Sequence, residues 1–321
     1  MSSALDKIIE KRILFFDGAL GTELLSVSDS AGCPDLFSLN NPKLVETLHE
    51  EYLAAGCDVI ETNSFCSNFL TFESLGIKES AFECAKRSTI LAKKTAEKFS
   101  TTQKPRFVAG SIGPAFNKNN TLETNEQLLN KAFFSQITAL AEGGADLLIF
   151  ETMQDIVQLN SALASAKNAM RKIARNLPLV VSISGKNGKT HTGTSFEDIV
   201  RAVSEYDLFA FGLNCEDFET MEKDAGIIKK ISSFPLLLMP NLGFPEKIEG
   251  KSVYKTTPEE FAEKMSEFIR KFDPKIIGGC CGTTPEHLKT VFRLSFCLLR
   301  KLFRSGCERS GISDKRRSAN P

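Results

Sequence analysis

The chain has 321 residues, with 40 Lys and Arg against 40 Asp and Glu, 42% hydrophobic residues and 25% charged residues. Zero net charge gives no electrostatic footprint for nucleic acid or a membrane surface, and no apolar run reaches the length of a membrane span. The composition is that of an ordinary globular protein, long enough for one large domain.

Residues 1–10 are polar and lack the apolar core of a secretory signal. Nine cysteines, an odd number in no regular framework, then point to the reducing cytoplasm and to free thiols or metal ligands. Apolar runs at 12–16, 57–63, 106–111, 146–151, 179–184, 208–215, 235–241 and 276–280 read as strands. Between and after them, helical spacing covers 42–56, 69–99, 125–144, 155–175, 195–206, 217–232, 257–271 and 285–299. Continuous apolar strands suit a parallel sheet buried on both faces. Eight such βα units predict a single-domain α/β fold, a closed (β/α)₈ TIM barrel over 1–300. An open doubly wound sheet would place a glycine-rich dinucleotide loop after the first strand, and Asp17-Gly18-Ala19-Leu20-Gly21 lacks that spacing. Residues 301–321 are basic, with glycine, serine and a final Asn-Pro, and read as a disordered tail.

Barrel enzymes carry their chemistry at the C-terminal strand ends. Those positions here are Asp17, Glu61-Thr62-Asn63, Ser111, Glu151, Ser184, Asn214-Cys215, Asn241 and Cys280-Cys281. Carboxylates and thiols at the ends of buried strands call for partners. Glycines flank Cys280-Cys281 and free the backbone to aim both sulfurs at one point. Cys215 lies at the same rim, two strands away. Three cysteine ligands with an open fourth position are the pattern of a catalytic Zn²⁺. Three thiolates make a poor Lewis acid for hydrolysis, but they suit binding and ionising a substrate thiol.

Gly278-Gly279-Cys280-Cys281-Gly282-Thr283-Thr284-Pro285-Glu286-His287, Gly212-Leu213-Asn214-Cys215, Asp17-Gly18-Ala19-Leu20-Gly21-Thr22 and Glu61-Thr62-Asn63-Ser64-Phe65 together resemble the homocysteine S-methyltransferase family. The resemblance runs from about Leu14 to Val291 and is greatest to the homocysteine-binding module of cobalamin-dependent methionine synthases. It implies a zinc-dependent S-methyltransferase that forms methionine by methyl transfer to a zinc-bound homocysteine thiolate. Cys215, Cys280 and Cys281 would bind the zinc. Asp17 and Glu151 would serve as catalytic groups facing the substrate ammonium. Backbone N–H groups near Gly18, Asn63 and Ser64 would take the substrate carboxylate, and Asn214 and Asn241 would orient ligands and loops. The methyl donor would be a methyl-cobalamin protein, S-methylmethionine or betaine.

The folate, cobalamin and reactivation modules of the full cobalamin-dependent enzyme have no length left to occupy after this one. The alternative is therefore a homocysteine- and zinc-binding subunit or fragment that needs a separate methyl-cobalamin partner. A zinc barrel with a structural or redox role stands as a third reading. Of the three histidines, His49 is expected to be partly exposed on its helix, His287 to serve the cap of the last helix, and His191 has no assigned role.

Overall fold

The computed structural model describes residues 4–27, 32–243, 245–248 and 251–294; the tail assigned to 301–321 lies outside them. Eight strands form one parallel sheet: Leu14–Phe15, Val59–Glu61, Phe107–Ile112, Leu147–Met153, Leu179–Ile183, Leu208–Asn214, Leu236–Met239 and Ile276–Ile277. The first strand pairs with the eighth through Leu14 and Ile276, and a bridge from Phe16 to Val59 closes the circle with the second. The barrel read from the eight apolar runs is therefore the fold.

Alternation along each strand divides the core into two layers. Leu14, Phe16, Val59, Ala109, Leu147, Ile149, Val180, Ala210, Leu237 and Ile276 fill the barrel interior as one buried cluster. Leu5, from the short helix Ala4–Ile9, joins that cluster. The outward neighbours, among them Phe15, Leu148, Phe150, Val181, Phe211 and Leu238, pack against the helices. None of the candidate site residues belongs to either layer, so the packing that holds the barrel is separate from the chemistry at its rim.

The helices begin where capping predicts. Asn125, Asp155 and Asp217 each accept two backbone N–H groups at a helix start, and Thr257 with Glu260 makes a full capping box. Three expectations need correction. The helical region 69–99 is two helices, Phe69–Ser74 and Ala81–Phe99, because Gly76 turns the chain at φ +69° and Ser80 caps a new start. Two hairpins, Gly185–Lys186 with Lys189–Thr190 and Glu246–Ile248 with Lys251–Val253, fill connections that carried no strand signal. The second and eighth strands end earlier than their apolar runs, which puts Asn63 and Cys280 on loops beyond them, while the third and fourth run on to Ile112 and Met153. Among the described residues no helix is long and apolar enough to cross a membrane.

His49 is fully buried in the helix Pro42–Ala55, not partly exposed, and neither ring nitrogen has a hydrogen-bond partner. Burial pushes its pKa down to about 4. An unfolded chain takes up a proton there below about pH 6.5, while the folded chain refuses it until about pH 4. This residue should therefore cost stability as pH falls through that window, at up to about 1.4 kcal/mol per pH unit. In urea melts compared near pH 7 and near pH 5, His49→Leu should lose less stability than the wild-type protein. Equal losses in the two proteins would show that His49 does not titrate this way.

Candidate active site

The three cysteines predicted as ligands come together. Their sulfurs all lie within 4.8 Å of one another, and Cys215 Sγ is 3.7 Å from Cys281 Sγ. Cys215 follows the sixth strand directly and takes φ +60°, a left-handed conformation rare for a residue other than glycine, asparagine or aspartate. That backbone twist turns its sulfur toward the turn after the eighth strand. Cys280 N–H donates to Pro240 O, and Cys281 O accepts from Leu242 N–H, so the turn is tied to the loop after the seventh strand. Gly282 completes the turn at φ +85°; a Cβ there would lie 2.6 Å from the Tyr254 ring.

The first and last loops of the barrel interlock beside this turn. Asp17 O accepts from Gly279 N–H, Ala19 N–H donates to Thr283 O, and the Tyr52 hydroxyl donates to Thr283 O at 2.8 Å. Gly18 packs so closely that a Cβ would stand 2.5 Å from Thr283 Oγ1. Asn214 is fully buried and fixes the other side. Its Oδ1 accepts from Thr152 N–H, and its Nδ2 donates to Thr152 Oγ1 at 2.8 Å and reaches Glu151 Oε2 at 3.4 Å and Cys280 Sγ at 4.0 Å. Asn241 Nδ2 points at Cys215 Sγ, 3.8 Å away. Both asparagine amides thus lie against cysteine sulfurs.

The donor set suits zinc. A tetrahedron with Zn–S bonds of about 2.3 Å has sulfur–sulfur edges of roughly 3.8 Å, close to the Cys215–Cys281 separation. Without a cation the thiols compete for protons. Hydrogen bonds from Cys215 and Cys280 hold the Cys281 thiol far below the ordinary range, while hydrogen bonding to Cys215 and Cys281 pushes Cys280 well up. Only a cation lets three adjacent sulfurs ionise together.

These sulfurs form part of the wall of a cavity of about 380 Å³, also lined by Gly18, Asn63, Ser64, Glu61 and Glu151. Among the described residues no Lys, Arg or His lines it. Glu151 Oε1 accepts a short hydrogen bond from Ser111 Oγ, and burial raises Glu151 to about 7. Glu61 is raised well above its ordinary value by burial and by the charge of Glu151, and it hydrogen-bonds to Glu151. Asp17 is fully buried and stands one layer back, its Oδ2 accepting the Glu61 N–H at 3.0 Å and its Oδ1 without a partner. Burial raises its pKa well above the ordinary value too. Buried carboxyl groups thus gather at this cavity with no basic residue beside them among the described residues, an arrangement that a cation would complement.

Glu61 was visible in the sequence as a strand-end carboxylate but received no role there; the signal was a third acid at the same rim. Asn63 and Ser64 line the cavity, yet their side chains are spent on structure. Asn63 Nδ2 donates to Pro34 O and Ser38 Oγ, and Ser64 Oγ donates to Ser111 O. The Ser64 N–H is taken by Thr62 O at 2.8 Å. His287 lies away from the sulfurs. Its Nδ1 accepts from Thr284 N–H at the start of helix 285–294, and its Nε2 meets Thr256 O, so it serves the cap as expected. His191 is exposed, 3.5 Å from Ser184 Oγ.

The family model described as homocysteine S-methyltransferase matches residues 14–294. The chain belongs to the homocysteine S-methyltransferase family. It is 30% identical over 292 residues to methionine synthase of Mycobacterium leprae, covering 88% of this chain and 24% of that protein. It is 29% identical over 293 residues to methionine synthase of Mycobacterium tuberculosis, covering 88% and 25%. The chain thus spans about a quarter of the length of these curated relatives. In fold it is similar to the metallated form of the homocysteine methyltransferase MmuM from Escherichia coli, with TM-score 0.74 and 23% identity over 90% of this chain and 99% of that one. A B12-independent methionine synthase from Shewanella sp. W3-18-1 also shares the fold, with TM-score 0.56 and 14% identity over 91% and 98%.

Proposed function

We propose that this protein transfers a methyl group to the sulfur of homocysteine and so forms methionine, using Zn²⁺ held by Cys215, Cys280 and Cys281. One observation carries the reading: a single cavity unites three converging sulfurs with buried carboxyl groups and, among the described residues, no basic lining residue. The zinc, when bound, would favour the ionised form of the substrate thiol at neutral pH. Glu151 takes the substrate ammonium, with Glu61 donating to it and Asp17 holding the Glu61 backbone. Backbone around Gly18 and Asn63 receives the substrate carboxylate. Asn214 fixes Glu151 and Thr152 relative to Cys280.

A second reading has support in the quarter-length match to the methionine synthases. In it, the protein binds homocysteine and zinc and receives its methyl group from a separate methyl-cobalamin protein. Methionine formation by the purified protein with S-methylmethionine, betaine and a methyl-cobalamin protein in parallel distinguishes the two. Turnover with a small donor alone supports the first. Homocysteine binding with no turnover on any small donor supports the second.

The ionisation of the substrate thiol has its own check. A free thiol has a pKa of about 8.5, so binding near pH 7 should release close to one proton from sulfur, falling toward none as pH rises past that value. Calorimetry in buffers of different ionisation enthalpy counts those protons. No release near pH 7 would mean that the sulfur stays protonated in the complex, and the chemistry proposed here would be wrong.

A further inference from the structure

A second group of thiols lies on the same cavity. Asp35 and Cys66 line its wall, and the sulfurs of Cys33 and Cys66 and a carboxylate oxygen of Asp35 all lie within 4.8 Å of one another. Both thiols thus stand beside the Asp35 carboxylate. The carboxylate is 2% exposed and forms no ion pair among the described residues. Its Oδ2 accepts from Cys66 N–H at 2.9 Å and from Ser67 Oγ at 2.6 Å. A buried carboxylate with no positive neighbour, beside two thiols, is an arrangement that a cation would complete.

The group is held in place before any ion arrives. Asn63 Nδ2 donates to Pro34 O and Ser38 Oγ, which pins the segment carrying Cys33 and Asp35 to the end of the second strand. The Cys84 thiol donates to Asp35 O from the helix Ala81–Phe99. The backbone that carries Asp35 and the Asp35 carboxylate are therefore fixed beforehand, which leaves less ordering to be done on binding.

We infer that Cys33, Asp35 and Cys66 form a second binding site, for a thiophilic divalent cation such as Zn²⁺ or Cd²⁺, on the cavity wall. Binding forms two metal–sulfur bonds and one metal–oxygen bond and sends the two thiol protons to the buffer. The ion takes the place of the two thiol protons and bonds the carboxylate oxygen, so the net charge of the group is unchanged. The site owes nothing to Cys215, Cys280 or Cys281, so it can stand or fall independently of the proposed transferase chemistry.

The test uses the full chain carrying Cys280→Ser and Cys281→Ser, kept reduced by a phosphine and checked for folding by circular dichroism. Titration with Cd²⁺ should develop the thiolate-to-cadmium ultraviolet band and saturate at one equivalent, with two protons released. Adding Cys66→Ser should weaken binding by more than about 100-fold, beyond the cost of losing an outer partner. Asp35→Asn should weaken it less, by roughly tenfold, because an oxygen remains. If the double serine variant does not fold, the wild-type protein loaded with one equivalent of zinc replaces it, and the second equivalent is followed with and without Cys66→Ser. No band, or a band unchanged by Cys66→Ser, overturns the site. So does finding Cys33 and Cys66 unreactive to an alkylating agent in the reduced, metal-free protein.

Discussion

Cys280→Ala is expected to lose most of the bound zinc while the barrel stays folded. The measurement belongs in a Cys66→Ser background, so that only one group of sulfurs is in play. Removing one of three converging sulfurs leaves a pair that cannot enclose the ion, and the loss should exceed the 10–100-fold cost of removing a group that merely orients a ligand. Asn241→Ala, which touches Cys215 Sγ only through its amide, sets that smaller scale. The fold should survive because the interior layer of Leu14, Ile149, Val180 and Leu237 and the outer layer under the helices contain none of the three cysteines. Large barrels do not depend on a metal as small zinc domains do. Zinc content after chelator dialysis, read beside a thermal melt, gives the answer. Stoichiometric zinc in the variant would remove Cys280 from the ligand set.

Glu151→Gln should weaken homocysteine binding and spare the zinc. Truncating one partner of a buried charge pair costs on the order of 2–5 kcal/mol, or roughly 30-fold to several thousand-fold in affinity. Glu61→Gln should do less harm, because a glutamine at that place still donates a hydrogen bond to Glu151. The pH profile follows from the same group. Burial raises Glu151 to about 7 in the free protein, and an ammonium needs the carboxylate form. Affinity should therefore rise most steeply below about pH 7, where both Glu151 and the thiol give up protons, more gently from there to about 8.5, where only the thiol does, and level off above that. Near neutrality, binding should also release a further fraction of a proton beyond that of the thiol, and Glu151→Gln should abolish that fraction. Unchanged homocysteine affinity in Glu151→Gln would make Glu151 a structural residue.

Much of this architecture was legible because parallel strands buried on both faces must be apolar throughout. The runs 146–151 and 208–215 announced themselves in this way, and Glu151, Asn214 and Cys215 stood out at their ends. Other features depend on the third dimension. Cys215 adopts φ +60° although cysteine has no preference for it, because Asn214 and the loop after the seventh strand hold it there. His49 has the spacing of a helix flank, and only the packing of neighbouring helices buries it. Gly76 and Ser80 were readable as a break, but the apolar residues on both sides masked it. Cys33 and Cys66 lie 33 residues apart with no shared motif, and their meeting depends on Asn63 pinning the earlier segment.

The interlocked first and last loops have a consequence for the order of events on the ribosome. Cys280 and Cys281 follow the eighth strand, whose neighbours are the first and the seventh. A nascent chain that has released Cys215 still waits 65 residues for the other two sulfurs. Until the eighth strand docks and Thr283 engages Ala19 and Tyr52, the three sulfurs have no common centre. Zinc held by these three sulfurs would thus load late, after closure, and a chain stalled before its last strand could not hold it there. The seam of the barrel would then act as a checkpoint between synthesis and metallation.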